Sequence, residues 1–273
     1  MSWRVALALL GCGLCGLCFA ADEPSATPAL PEAGVTSGNR VILGADGATL
    51  TGSNRGGGGD VAYLHQENPD FLVGVGGEYQ RLATSNWSFG SFNFALSHAL
   101  TATTRWNVHA EAHEGTGRSD SRPFKYSIVA GGVGAALPGG IAADMEERQI
   151  DVDTSHGSLP KLGLAKSWGT HWLTAIAYAH SFGGNLNTSY SLARIDFYGP
   201  GFNLLAGGDL GRVSPAVINI NGVLTAQARH LDEVFFGFTK PLNRIDLTLL
   251  ADRIDLAGIY RLTLTLDCTV HLR

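Results

Sequence analysis

The stretch Arg261 to Arg273 reads RLTLTLDCTVHLR and changes character at every step. In an extended chain successive side chains point to opposite faces. Leu262, Leu264, Leu266, Cys268, Val270 and Leu272 therefore share one side, and Arg261, Thr263, Thr265, Asp267, Thr269 and His271 the other. The edge of a soluble sandwich can carry this pattern, and so can a strand with lipid outside and a polar lumen within. The rest of the chain decides between them.

From Phe71 onward the sequence resolves into twelve alternating segments, at 71–82, 86–98, 104–115, 123–137, 141–152, 159–168, 171–182, 187–198, 201–211, 229–240, 244–255 and 258–272. Each is long enough to cross a bilayer as a tilted strand, and no long stretch with a 3.6-residue period competes. The connections sort by parity. After even-numbered segments come the short turns LTAT, PGG, WGTH, YGPG and KPLNR, whereas the longest connections, GTGRSDSRP and Arg212 to Ala228, follow odd-numbered ones. Short turns at one end and longer loops at the other mark a bacterial outer-membrane barrel, and an even strand count returns both termini to the periplasm. Trp106, Trp168, Trp172, Tyr198 and Phe202 flank the short turns, where amphipathic rings lie at lipid headgroups.

The N-terminus agrees with export. Arg4 precedes the apolar run VALALLGCGLCGLCFA, which is too short to span a membrane comfortably, and Cys18-Phe19-Ala20 supplies small residues at the positions a signal peptidase reads. Cleavage is expected after Ala20. The lipobox-like Leu9-Leu10-Gly11-Cys12 is the rival processing site. Residues 21–38, with their prolines, read as a flexible periplasmic leader, and 39–70 as an N-terminal segment able to supply extra strands before the barrel of 71–273. The glycine run at 56–59 lacks the GK[ST] of a phosphate loop and reads as a connector. With Cys12, Cys15 and Cys18 in the signal, Cys268 has no disulfide partner. A net charge of -5 gives no support for nucleic-acid binding.

Parity also sorts the charges. Arg105, His109, Glu111 and His113 are expected to face inward on one segment, Asp144, Glu146 and Arg148 on another, and Arg194 and Asp196 on a third. Asp246, Asp252, Arg261 and Asp267 complete the candidate lumen lining, together with Glu78, Lys125, Asp209, Glu233 and His271. An Arg or Lys at the lipid midplane would cost roughly 2 to 4 kcal/mol, so such residues belong where water or a counter-charge reaches them. His109-x-Glu111-x-His113 puts two imidazoles and a carboxylate on one face, a conceivable metal set, although a hydrated row of lumen side chains needs no metal. Ser155-His156-Gly157-Ser158 reads as a loop. Adjacent strand residues such as His180 and Ser181 point opposite ways and cannot pair as base and nucleophile.

The rhythm of ALPGGIAADMEERQIDVDTSHGSLPKLGLAKSWGTHWLTAIAYAHSF, then SLARIDFYGPGFNLLAGGDLGRVSP and FFGFTKPLNRIDLTLLADRIDLAGIYRLTLTL, resembles the YaiO-like outer-membrane barrel family. That resemblance implies a link to surface polysaccharide and offers no catalytic residues to carry over; a non-enzymatic protein without a cofactor is expected. The expectation is an all-β, antiparallel, up-and-down transmembrane barrel of twelve strands, or fourteen if residues 39–66 add a hairpin. It would act in the outer membrane as a narrow pore or export conduit. Its partners would be lipids and lipopolysaccharide, the barrel-insertion machinery and polysaccharide-export components. The alternatives are an enzyme acting on lipid or lipopolysaccharide, or a structural or adhesive barrel.

Overall fold

The computed structural model describes residues 38–50, 55–68, 70–82, 85–119, 122–152, 155–213, 229–256 and 259–272. The expected signal and lipobox, the leader up to residue 37, and residues 214–228 of the longest loop lie outside them. Fourteen strands run in chain order: β1 (Gly38–Leu50), β2 (Arg55–Asn68), β3 (Phe71–Leu82), β4 (Ser85–Ala99), β5 (Arg105–Ser119), β6 (Arg122–Leu137), β7 (Ile141–Val152), β8 (Ser155–Trp168), β9 (Trp172–His180), β10 (Ser189–Gly199), β11 (Phe202–Val213), β12 (Arg229–Leu242), β13 (Ile245–Leu256) and β14 (Ile259–Leu272). Each pairs antiparallel with its chain neighbours. β1 closes on β14, from Asn39 opposite Leu272 to Leu50 opposite Arg261. Closure leaves no sheet edge unpaired.

The count is therefore fourteen, not twelve, because residues 39–66 do supply a hairpin. The glycine run is strand rather than connector, inside β2. Its glycines carry no side chains to alternate, which hides the strand from periodicity. Their pairing is nonetheless continuous, with Gly56 to Gly59 opposite Ala48 to Ala45 on one side and Leu82 to Tyr79 on the other. The short turns between even and odd strands use residues that tolerate positive φ. Gly139 and Gly140 have φ of 79° and 72°, and Asn243 has φ 57°.

The two faces separate as strand geometry requires. Leu262, Leu264 and Leu266 are exposed outward, about half accessible at 51–53%, while Arg261, Thr263, Thr265 and Asp267 between them are buried. The outward set continues around the ring through Leu43, Val61, Val75, Phe92, Val129, Met145, Leu162, Ile176, Ile195, Val234 and Leu249, forming an apolar belt. At the short-turn end an aromatic cluster joins it. Trp172 and Phe197 have ring centroids 4.7 Å apart, Phe197 and Phe202 5.7 Å, and Phe202 and Phe238 6.3 Å. Tyr198 is not part of this girdle. It sits on the inward parity of β10 and packs on buried Ala142, Ala165 and Leu173.

Candidate functional site: the charged lumen

The inward face of β5 to β8 carries a connected ion-pair network. Arg148 Nη2 forms an ion pair with Glu111 Oε1 at 2.9 Å, and its Nε donates to Glu146 Oε1. Glu146 Oε2 also meets His109 Nε2 at 3.0 Å and Lys161 Nζ at 3.3 Å, and Glu111 lies 3.5 Å from His113 Nε2. Lys161 on β8 is the register partner of Glu146, but β5 and β7, which carry the rest of the network, are not neighbours. What joins them is the smallness of β6: Gly132 lies between His109 and Glu146 in the register, and Ala130 between Glu111 and Arg148. A Cβ built on Gly132 would lie 2.2 Å from His109 Cε1. The glycine is the gap through which the imidazole reaches the carboxylate.

The same device recurs elsewhere in the ring. Gly58 stands between Asp46 and Gln80, and the Gln80 amide crosses it to donate to Asp46 Oδ1. Gly44 stands between Asp267 and Asp60, whose carboxylates occupy the space a Cβ would take. Asp144 fills the space over Gly163. Glycine abundance is thus a lumen-packing feature as well as a turn feature.

From β10 round through β14 to β3 the lumen is dominated by acids. One registered row runs Leu192, Asp209, Glu233, Ile254, Arg261, and the row beside it Arg194, Gly207, Phe235, Asp252, Thr263. Arg261 lies within electrostatic reach of Asp252, Asp46, Glu233 and Glu78, and its Nε donates to Thr263 Oγ1 at 3.1 Å.

The remaining candidates lie apart from these groups. Arg194 and Asp196 pair along β10 at 2.7 Å. At the short-turn end Asp246 meets His271 at 2.7 Å across β13 and β14, and half-exposed Arg105 meets Asp70. Lys125 is outward and exposed rather than inward, because Ile128 and Ala130 fix even positions of β6 inside. Lying near the long-loop end of β6, its ammonium can reach past the apolar belt to water. Lys161, Gln80, Asp46 and Asp60 were not singled out by the sequence reading. The alternation Lys161, Gly163, Ala165 against Leu162, Leu164, Lys166 carried the signal for Lys161, diluted by small residues.

His109, Glu111 and His113 share a face, but their partners are Glu146 and Arg148, and among the described residues no three such side chains converge as metal ligands do. His156 and Ser158 are on strand β8, not in a loop. Ser158 Oγ donates directly to Glu147, which also accepts from Gln149 Nε2 at 2.9 Å. A serine nucleophile needs a base such as imidazole on its hydroxyl, and here the carboxylate takes that place.

At the long-loop end the segment 181–188 folds inward. Asn185 N donates to His156 O at 3.0 Å, and Thr188 N to Ser181 Oγ at 2.9 Å. Leu186, packed beside Gly157, and Thr188 are buried. Below the mouth, Arg148 and Leu159 on β7 and β8, and Gln80 and Leu64 on β3 and β2, are all at most 1% accessible. The lumen in this state is packed by its own side chains.

No protein-family model matches the chain, and no curated protein matches it by sequence. Solved structures do. The chain is similar to the monoaromatic hydrocarbon channel CymD, at 9% identity over 96% of this chain and 93% of that one, with a TM-score of 0.61. It is also similar to the Pseudomonas putida toluene transporter TodX, at 11% identity over 95% and 93% of the two chains, TM-score 0.52. A third likeness is to an outer-membrane channel from Pseudomonas putida F1, at 10% identity over 88% and 97%, TM-score 0.53. At these identities the likeness is one of fold alone, a closed antiparallel β-barrel.

Proposed function

We propose that the protein is an outer-membrane channel for small solutes, its short-turn end toward the periplasm, in a state closed by side chains. The observation that carries this reading is the pairing of an apolar outer belt with an interior lined by buried acidic and basic side chains inside a closed fourteen-strand ring. Charges buried in such a ring can be satisfied by each other when it is shut and by water and solute when it is open. The ion pairs around Arg148 and Glu146, which join β5, β7 and β8 along one arc of the inner wall, are the barrier in this reading. The packed interior favours small solutes over the polysaccharide that the family resemblance implies. The likeness to hydrocarbon and toluene channels is consistent with a channel, and the acidic wall argues for a polar or cationic group on the solute.

Conductance in planar bilayers tests the reading. Wild-type protein should show small, infrequent openings, and Arg148→Ala should raise open probability. Arg194→Ala, which removes an inward positive charge, should shift reversal potential toward cation selectivity. A barrel that inserts but never conducts, in wild type and Arg148→Ala alike, would refute it.

A further inference from the structure

The register places Asp209 of β11 directly opposite Glu233 of β12 on the inward face. Both are out of reach of solvent, at 0% and 2% accessibility, and none of their four carboxylate oxygens has a hydrogen-bond partner among the described residues. That is unlike the network around Arg148, where acids and bases alternate. Two ionised carboxylates held side by side away from water are costly unless a positive group or a shared proton joins them. The nearest inward cation along their row, Arg261, stands two strands from Glu233 and is shared with Asp252, Asp46 and Glu78.

The registered neighbours of this pair along its own row are apolar, while Asp252 on β13 lies diagonal to Glu233 and within electrostatic reach of it. Leu192 is opposite Asp209, Ile254 is opposite Glu233, and Phe235 follows Glu233 on the same face, its ring lying over Gly207, where a Cβ would be 2.2 Å away. A hydrated metal ion wants further oxygen ligands, and among the described residues no third carboxylate or imidazole converges with this pair as metal ligands do. An ammonium group carried on a hydrocarbon frame matches both parts: the charge between the carboxylates, the frame against Leu192, Ile254 and the Phe235 ring.

We infer that Asp209 and Glu233 form a binding station for an organic ammonium solute within the lumen. This deepens the channel reading and rests on it, because an enclosed station receives a ligand only when the lumen opens.

The test uses the full-length protein refolded in detergent, titrated calorimetrically at neutral pH with benzylammonium chloride, benzyl alcohol and calcium chloride in turn. Benzylammonium should bind saturably, and the uncharged alcohol at least tenfold more weakly. The double variant Asp209→Asn with Glu233→Gln, checked for folding by heat-dependent electrophoretic mobility, should lose at least tenfold of the ammonium affinity. Asp246→Asn, near the short-turn end, should keep it. Equal affinity for amine and alcohol in the wild type overturns the inference without need of any variant. So does retention of binding in the double variant, or saturable binding of calcium alone. Conductance in potassium chloride is recorded separately: a conducting barrel that does not prefer the amine sinks the station and leaves the channel standing, whereas amine binding without conductance does the reverse.

Discussion

Arg148 shows what a single residue does in this ring. It is 1% accessible and contacts Glu111 on β5 and Glu146 on its own strand. Truncation to alanine leaves two buried acids short of their main counter-charge. Breaking a buried pair this way costs on the order of 3 to 5 kcal/mol, so Arg148→Ala should lower stability by about that much in urea titrations of vesicle-inserted protein. Gly132 sets the complementary constraint. A valine there would collide with the His109 ring, and overpacking of this kind costs about 1 to 3 kcal/mol. The loss should shrink but not vanish when His109→Ala is already present, because a Cβ at 132 also meets Met145 O at 2.9 Å, and an undiminished loss would show that the imidazole is not the main obstacle. Parity in the sequence placed Glu111, Arg148 and Glu146 inside. It could not show that they meet across β6, because that depends on the register of three strands and on the size of residues 130 and 132. Asp209 opposite Glu233 was hidden for the same reason.

At the scale of elements, legibility followed the contrast between faces. β14, with leucine against threonine and charge, declared itself in full, and β7 and β13 nearly so. β2 did not, since a strand with glycine on both faces looks like a linker. β8 was recognised only from Leu159 onward because Pro160 and Gly157 blur its first half. The proline has no N–H to give, and the ladder to β9 accordingly breaks between Lys161 opposite Ala179 and the bridge of Ser158 to Phe182. Whether the first hairpin is integral can be measured. Deleting residues 38–68 would leave the neighbours of β1 and β2 with open edges, so the truncated chain should give no heat-modifiable folded form. A stable twelve-strand barrel from that deletion would contradict the closure between β1 and β14.

At the scale of the whole molecule, the apolar belt, the aromatic cluster at the short-turn end and the ionised interior agree on a single environment, a bilayer around the ring with its axis across it. Soluble sandwiches bury their apolar faces against each other, but here leucines on β14 point outward and acids point in. The most direct measurement places nitroxide labels one at a time at residues 262 to 267 of β14, in a Cys268→Ser background, in lipid vesicles. Collision with membrane-dissolved oxygen should be high at 262, 264 and 266 and low at 263, 265 and 267. Labels at 262, 264 and 266 that collide instead with a water-soluble nickel complex, or six positions without alternation, would contradict a barrel with lipid outside and charge within.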